Sequence, residues 1–360
     1  MSDVSDVSDR SERSDLSDRS DLRVLVKQVN WLGDVVMSLP ALRAVRRAYP
    51  LARLSVLIKS ELASFFDGSN WIDAVIPYRL RSGVGGLRDR AALVAELRRR
   101  KFDVAILFPD SFDAAFWAAM ARIPVRAGYI RDGRGLLLTH GVRRTPASLK
   151  GHQVHYRLQM LAEALGITGD ATEYAPDVGE GARRTMQDWL AQHRRGSGRL
   201  IALAPGAAYG PAKEWPVDRW AGLIDRLSQR HRVESILVGS PAERARCEEV
   251  AIASGGALVT AGETSVGELV ALLSLCDGFA GNDSGAMHVA AALGIPTVGI
   301  FGSTSPERTS PLGPQATVVY KPVACSPCLD RTCRFGHYNC LRGIEVEEVE
   351  RLLLKLTTAV

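Results

Sequence analysis

Runs of apolar residues alternate with amphipathic stretches along most of this chain. Short apolar runs rich in β-branched residues are typical of strands buried in a parallel sheet, and here they are followed by apolar positions at helical spacing. One such series begins at residue 23 and a second at residue 200. Alternating strands and helices are typical of βαβ units. The pattern therefore predicts an α/β fold with two doubly wound domains.

The predicted organisation has five parts. Residues 1–21 form a head rich in Ser and Asp that we expect to be disordered, because it cannot bury enough apolar surface to fold. An N-terminal Rossmann-like domain follows over 22–172, then an inter-domain linker over 173–197, a C-terminal Rossmann-like domain over 198–343 and a final helix over 344–360. Within the first domain we expect a helix over 35–49, with Pro40 at a kink or at its first turn, and a loop over 131–150.

Composition and charge narrow the class of protein. The chain is 46% hydrophobic and 24% charged, with no apolar run near the roughly 20 residues that span a bilayer and no signal peptide. A net charge of +5 permits an anionic substrate or surface, and no nucleic-acid-binding motif is present. Six cysteines in a chain without a signal favour reduced thiols or a metal site over disulfides. We therefore expect a cytoplasmic protein.

Residues 281–296 are predicted to leave a strand and enter a helix. Asp283 or Ser284 can cap the start of this helix, and Gly294 suits the left-handed position after its end. The amides of Ser284 and Gly285 are then unpaired donors at the positive end of the helix dipole, a position that favours an anion. Gly285 also gives a phosphate room to approach. The alternative is an ordinary capped helix.

Polar and glycine-rich loops follow several other predicted strands. Gly33 and Asp34 come after the first strand, Lys213 lies in the loop after residue 204, and Glu243 follows residue 239. Ligands of doubly wound sheets bind at the carboxyl ends of the strands, so the inter-domain cleft is the expected site and the second domain the nucleotide half. None of these loops is G-x-G-x-x-G or a P-loop. This disfavours an NAD-dependent dehydrogenase and a P-loop kinase.

Five motifs carry a family resemblance that extends from about residue 22 to the C-terminus. They are the segments 29–42 (VNWLGDVVMSLPAL), 213–216 (KEWP), 281–288 (GNDSGAMH), 301–306 (FGSTSP) and 325–340 (CSPCLDRTCRFGHYNC). Together they resemble the ADP-heptose:lipopolysaccharide heptosyltransferases, glycosyltransferase family nine. The last two resemble the heptosyltransferase II branch.

The resemblance implies a GT-B fold and an inverting transfer of L-glycero-D-manno-heptose from ADP-heptose to the first heptose of the lipid A–Kdo inner core. It implies no cofactor and no divalent metal. The expected protein is cytoplasmic and peripheral at the inner membrane, with ADP-heptose, the heptosylated lipid acceptor and the anionic leaflet as partners. The alternatives are heptosyltransferase I or III, with a different acceptor, and a catalytically inactive nucleotide-sugar-binding protein.

The resemblance also implies roles for single residues. Asp34 matches the proposed catalytic base, with a helix N-cap as its alternative, and Lys213 matches the phosphate-binding lysine, with a solvated loop lysine as its alternative. Glu243 is placed to bind ribose, or else lies at the start of a surface helix. Asp283 is assigned to sugar hydroxyls or to capping. The remaining candidates are His288 on the donor side, or a structural histidine, and Asn30, Trp31 and Gly33 on the acceptor side, where Trp31 alternatively packs in the floor of the cleft.

Two further clusters carry open alternatives. Four cysteines, Cys325, Cys328, Cys333 and Cys340, have a spacing that thiolates can use to bind a structural zinc, although reduced thiols are the preferred interpretation. A basic flank on the first domain is either a solvated helix face or a surface that meets lipid phosphates and the anionic leaflet. Its members are Arg79, Arg81, Arg88, Arg90, Arg98, Arg99, Arg100 and Lys101.

Overall fold

The computed structural model describes residues 20–358, which form two compact units. The first comprises residues up to Asn30, 38–63 and 69–173, and the second comprises 31–37, 64–68 and the chain from Tyr174 onwards. The second unit is therefore discontinuous in sequence. The predicted disordered head, 1–21, lies outside the described residues except for its last two.

The first unit is built on a six-stranded parallel sheet with the strand order β3-β2-β1-β4-β5-β6. This order is that of a doubly wound nucleotide-binding sheet, with its switch point between β1 and β4. The strands are β1 (Arg23–Lys27), β2 (Arg53–Lys59), β3 (Ala74–Tyr78), β4 (Val104–Leu107), β5 (Val125–Ile130) and β6 (His140–Arg143). The helices are α1 (Leu32–Ala48), α2 (Gly83–Arg100), α3 (Phe112–Met120), α4 (Pro146–Lys150) and α5 (Gln153–Leu165).

One hydrophobic cluster of the first unit's core lies between this sheet and helices α2 and α3. Leu97 and Trp117 from the two helices pack with Leu25 and Leu57 from the central strands, and all four side chains are buried. All four residues of β4 are also buried, which explains its continuous apolar run. The sheet thus fixes the positions of the loops that follow β1 and β4.

The second unit repeats the same topology with the order β12-β11-β10-β7-β8-β9, all parallel, and its switch point lies between β7 and β10. Its strands are β7 (Leu200–Ala204), β8 (Glu234–Leu237), β9 (Leu258–Val259), β10 (Gly278–Asn282), β11 (Thr297–Phe301) and β12 (Ala316–Tyr320). Its helices are α6 (Glu180–His193), α7 (Val217–His231), α8 (Arg244–Ala253), α9 (Val266–Leu273), α10 (Gly285–Ala292), α11 (Pro306–Thr309), α12 (Asn339–Arg342) and α13 (Val346–Thr357). The predicted α/β class with two doubly wound sheets is confirmed.

Two local predictions are wrong. The expected loop over 131–150 contains β6 and α4, and the strand was hard to recognise because β6 is a polar edge strand in which only Val142 is buried. Helix α1 begins at Leu32, before the predicted start, and Pro40 lies in its interior and not in its first turn. Residues 173–197 contain α6, and their role as an inter-domain linker stays a prediction.

Among residues 20–358, no helix combines the length and the apolar composition needed to cross a bilayer.

Candidate functional site

The predicted donor loops follow four strands of the second unit and meet at the carboxyl edge of its sheet. A buried amide, Asn282 at the end of β10, joins two of them. Its side-chain nitrogen donates to the carbonyl of Pro205 (2.7 Å), and its oxygen accepts from the backbone nitrogen of Trp215 (3.1 Å). Both ends of the loop between β7 and α7 are therefore held by one residue, which fixes the path of the chain around Lys213.

Trp215 anchors the same loop in the hydrophobic core of the second unit. Its side chain is fully buried, packs edge-on against Trp220 with ring centroids 5.1 Å apart, and donates from Nε1 to the carbonyl of Ile344 (3.2 Å). A large aromatic side chain buried in this way gives a loop much of its rigidity, because moving it would expose apolar surface. In the KEWP motif, Lys213 is thus directed to the candidate site, and Trp215 anchors the loop that carries Lys213.

The centre of the site is an ion pair between Lys213 and Asp283. Lys213 Nζ lies 2.6 Å from Asp283 Oδ2, and the same oxygen accepts from Thr304 Oγ1 at 2.6 Å. Both partners are largely buried, with 13% and 5% of their side chains exposed. Burial alone would raise the pKa of Asp283, but His288 and the Lys213 ammonium outweigh it and hold that pKa below its usual range.

This geometry decides two of the alternatives. Lys213 is not a solvated loop lysine, because its ammonium is enclosed by Asp283 and by the ring of Tyr209, whose centroid is 4.8 Å away. Asp283 does not cap α10, since Ser284 is the N-cap residue and its side chain makes no capping hydrogen bond. Asp283 instead holds Lys213 in place.

His288, on α10, links this pair to the start of α1. Its Nε2 lies 3.8 Å from Asp283 Oδ1, and the side chain is only 3% exposed. Its imidazole packs against Gly33, where a Cβ atom would come within 2.6 Å of His288 Cδ2. Position 33, directly before Asp34, therefore has no room for a side chain, because the His288 imidazole occupies the adjacent space. The structure favours a structural position for His288, next to the donor loops.

Gly285 has a similar explanation. A Cβ atom at this position would lie 2.7 Å from Cβ of Leu32, the first residue of α1. Gly285 was predicted to leave room for a phosphate, whereas in the structure the side chain of Leu32 occupies that space. The N-terminal ends of α1 and α10 therefore lie close together, and both are positive ends of helix dipoles.

Asp34 lies in the first turn of α1 and is partly buried. It is not the N-cap, since the helix already begins at Leu32 and the backbone nitrogen of Val35 bonds to the carbonyl of Trp31. A carboxylate in a first turn is stabilised by the helix dipole. Asp34 belongs to the segment 31–37, which groups with the second unit. The contacts of Gly33 place this segment beside His288.

The acceptor-side candidates differ in their surroundings. Trp31 is 53% exposed, and both its acceptor role and its place in the floor of a cleft stay predictions. Asn30 ends the loop after β1, where its Oδ1 accepts from the Tyr78 hydroxyl (3.0 Å) and from Lys27 Nζ (3.4 Å). Asn30 is exposed, and its side-chain oxygen is the acceptor that links it to the first unit.

Lys27 was missed by the sequence reasoning, which treated it as part of a buried strand. The side chain is only 2% exposed, and Nζ donates to the carbonyl of Gln28 (2.5 Å) and lies 4.8 Å from the centroid of the Tyr78 ring. Burial, together with the charge of Lys59, lowers the pKa of Lys27 to about 7. One feature of the sequence could have singled it out: Lys27 is the last residue of an otherwise apolar strand and comes shortly before Asp34.

Glu243 lies at the start of a helix, which was the alternative to a role in ribose binding. It ends a 3-10 turn over Pro241–Glu243, and its carboxylate accepts from the backbone nitrogen of Ser240 (2.7 Å) in a capping box. Its side chain also packs against Gly206, where a Cβ atom would come within 2.7 Å of it. Glu243 therefore touches the loop after β7, and its predicted contact with ribose stays a prediction.

The segment that carries four cysteines gives no support to the zinc alternative. All six cysteines are free thiols, and Cys340 is buried in the core of the second unit. Within residues 20–358, no group of three or more His, Cys, Asp or Glu side chains is arranged to hold a metal ion.

The basic flank is less positive than its sequence suggests. Most of its arginines are paired with carboxylates, two of which, Glu61 and Asp113, come from outside the flank. Arg81 pairs with Asp89 (2.7 Å), and Arg99 and Arg100 share Glu96. Among the described residues, Arg88, Arg98 and Lys101 form no ion pair. These exposed pairs are weak individually, but they lower the net charge of this surface.

Comparison with known proteins gives a consistent answer. The sequence profile of glycosyltransferase family 9 (heptosyltransferase) matches residues 90–339, more than half of the chain. Lipopolysaccharide heptosyltransferase 2 of Salmonella typhimurium is 31% identical over 313 residues, with 83% of this chain and 88% of that protein covered. The same enzyme of Escherichia coli K12 is 30% identical over 352 residues, with 93% and 99% covered.

A solved structure shows the same relationship. The structure of E. coli ADP-heptose lipopolysaccharide heptosyltransferase II superposes with a TM-score of 0.80 at 26% identity, and the alignment covers 94% of this chain and 99% of that one. The predicted GT-B class is confirmed in its two doubly wound sheets. The chain belongs to glycosyltransferase family 9, the heptosyltransferase family, as its motifs predicted.

Proposed function

We propose that this glycosyltransferase moves L-glycero-D-manno-heptose from ADP-heptose to the first heptose of the lipid A–Kdo inner core of lipopolysaccharide. The observation that carries the proposal is the identity of about 30% with heptosyltransferase 2 of two bacteria over most of both chains. The structure adds an enclosed cation, Lys213, at the switch point of the second sheet, where a nucleotide sugar binds in doubly wound folds.

In the proposed mechanism, Asp34 is the general base. It removes the proton from the acceptor hydroxyl while that oxygen attacks the anomeric carbon of heptose, and the bond from this carbon to the diphosphate oxygen breaks on the opposite face. The configuration at the anomeric carbon is therefore inverted. A base in this role contributes roughly 10²- to 10⁴-fold to the rate. Asp34 belongs to the segment 31–37, which groups with the unit that carries the predicted donor loops and so supports this role.

The departing ADP acquires negative charge that the protein has to stabilise. Lys213 supplies a cation that Asp283 and Thr304 hold in position, and the first amides of α10 supply donors at the positive end of a helix. Charged groups fixed in advance stabilise developing charge without reorganisation. The proposed reaction is therefore independent of a divalent metal, with Glu243 as the candidate contact for ribose and Asn30, Trp31 and Gly33 as candidate contacts for the acceptor.

We also propose that the enzyme works in the cytoplasm, at the surface of the inner membrane. The acceptor is a lipid, so the enzyme has to meet it at a bilayer. Arg88, Arg98 and Lys101, which lack ion-pair partners among the described residues, are the members of the basic flank best suited to anionic headgroups. Because the other arginines are largely paired, the expected electrostatic attraction is modest and decreases with salt.

The acceptor assay tests the proposed function. The protein is incubated with ADP-heptose and, separately, with lipid A–Kdo that carries no heptose or one heptose. Transfer to the second acceptor alone is expected. Transfer only to the heptose-free acceptor would identify a heptosyltransferase I, and ADP binding without any transfer would favour an inactive binding protein. Activity that disappears in excess chelator would contradict the metal-independent mechanism.

The base assignment predicts a large loss in Asp34→Asn. Turnover is expected to fall by roughly 10²- to 10⁴-fold, because the amide cannot accept the proton, while ADP affinity measured by calorimetry stays unchanged. Asp218→Asn is the matched control, since Asp218 is also a first-turn carboxylate but is 81% exposed at the start of α7. If the two variants retain the same turnover, Asp34 only stabilises its helix.

A further inference from the structure

The cysteine-bearing segment 325–340 holds two of the donor loops. The backbone nitrogen of Ala212 donates to the carbonyl of Arg331 (3.0 Å), and the backbone nitrogen of Leu329 donates to the carbonyl of Ser303 (2.8 Å). Gly210 has a φ of +141°, and a Cβ atom there would lie 2.6 Å from the Arg331 carbonyl oxygen. The backbone at Arg331 is thus fixed next to the loop that carries Lys213.

The side chain of Arg331 shares an aromatic ring with Lys213. The guanidinium carbon of Arg331 lies 5.2 Å from the centroid of the Tyr209 ring, and Lys213 Nζ lies 4.8 Å from the same centroid. Because both distances are measured to the same ring centroid, the Arg331 guanidinium carbon and Lys213 Nζ are at most 10.0 Å apart. The Tyr209 hydroxyl donates to the carbonyl of Leu329, which holds the ring in this position. A ring face attracts both cations and keeps them near each other.

The charges of the two residues are compensated differently. Lys213 has its own buried counter-ion in Asp283. Arg331 is exposed, and no carboxylate lies within ion-pair distance of it in the described part of the chain. Arg334, three residues later, is paired with Asp330. A doubly charged diphosphate beside Lys213 would therefore meet a charge that Asp283 already neutralises. Arg331 is the neighbouring positive charge that has no carboxylate partner among the described residues.

We infer that Arg331 is a second phosphate-binding residue of the donor site and contacts the diphosphate of the nucleotide sugar. The inference rests on the proposed ADP-heptose donor. A guanidinium binds phosphate oxygens with two parallel hydrogen bonds, whereas an ammonium acts as a point charge. Lys213 and Arg331 then divide the diphosphate between them, with Tyr209 setting their spacing. The four cysteines have no chemical part in this arrangement.

Calorimetric titration with ADP and with AMP tests the inference on the full-length protein. Arg331→Met is expected to weaken ADP binding by roughly tenfold to a hundredfold, the usual effect of one hydrogen bond to a charged group. Its effect on AMP should be smaller if Arg331 contacts the second phosphate. Arg334→Met is the matched control, from the same segment with its charge already paired, and should bind ADP as the natural protein does.

The outcomes separate the two levels of the proposal. Natural protein that fails to bind ADP would contradict the proposed function itself. Natural protein that binds ADP, together with Arg331→Met of equal affinity, would overturn the inference alone. Arg331→Lys keeps the charge and should retain part of the affinity. Equal losses in Arg331→Lys and Arg331→Met, accompanied by a lower thermal midpoint than in Arg334→Met, would mean that Arg331 only supports the loop and would also overturn the inference.

Discussion

Each unit has a lysine with little solvent exposure at the carboxyl end of its sheet, and the difference between these two lysines is instructive. Lys27 ends β1 and Lys213 follows β7, the central strand beside the switch point in each sheet. Lys213 meets a carboxylate at 2.6 Å, whereas Lys27 is surrounded by a carbonyl, an amide oxygen and an aromatic ring. Burial, together with the charge of Lys59, lowers the pKa of Lys27 to about 7. The same residue type is thus paired with a carboxylate in one unit and titrates near neutrality in the other.

Removing the counter-ion of Lys213 should have the largest effect on stability. In Asp283→Asn, a buried ammonium loses its partner, so the free energy of unfolding is expected to fall by about 3–5 kcal/mol. Urea denaturation measures this. Asp330→Asn is the control, because its pair with Arg334 is exposed at the arginine and its loss should change the free energy of unfolding very little. Equal losses in the two variants would mean that the Lys213–Asp283 pair is not energetically different from a surface pair.

Lys27 should instead make stability depend on pH. Its pKa is about 7 in the folded protein and roughly 10.4 in the unfolded chain, so between these values the unfolded chain binds more protons. The contribution of Lys27 to the free energy of unfolding therefore rises with pH and is lost as pH falls towards 7. From about pH 7 to about pH 8.5, the natural protein should gain about 1.5 kcal/mol relative to Lys27→Met.

Urea denaturation of both proteins at each pH checks this difference. Because the other titrating groups are common to both, their contributions cancel in the comparison. A constant difference across this pH range would show that Lys27 keeps its charge despite burial. A difference of the opposite sign would mean that an acidic group stabilises the Lys27 ammonium.

The smallest expected effect concerns the hydroxyl of Tyr78. Tyr78→Phe keeps the ring beside Lys27 and Trp117 but removes the donor to Asn30, so a loss of about 1 kcal/mol in the free energy of unfolding is expected. Tyr320→Phe on β12 is the matched control, because the Tyr320 hydroxyl is buried without a hydrogen-bond partner in the described residues. The control should be neutral or slightly stabilised. A Tyr78 variant as stable as the control would mean that the Asn30 network contributes nothing.

The comparison also shows what the sequence can and cannot predict. Strong apolar patterning located the starts of β1 and β7 at residues 23 and 200, as observed, whereas the polar strand β6 was missed. Lys213 and Asp283 were both recognised as site residues, but not as partners. They are 70 positions apart, and their contact exists because β7 and β10 are neighbours in the sheet. No local pattern contains that information.

Lys27 shows a different limit. A lysine at the end of an apolar strand is usually taken as the point where the strand reaches solvent. Its burial depends on Tyr78, which is 51 positions later at the end of β3, and on Asn30. Glu243 illustrates the reverse case, since its capping box with Ser240 is local and could have been recognised from the sequence.

The discontinuous second unit has a consequence for recombination. Besides the chain from Tyr174 onwards, it includes residues 31–37 and 64–68, and Ser64 Oγ accepts from the backbone nitrogen of Gly267 (3.1 Å). A single crossover near residue 174 would therefore exchange most of the second unit but leave two of its segments, 31–37 and 64–68, unexchanged. Gly285 and His288 would then face a Leu32 and a Gly33 of foreign origin. Functional chimaeras within this family should require either three exchanged segments or parents that are alike at the start of α1.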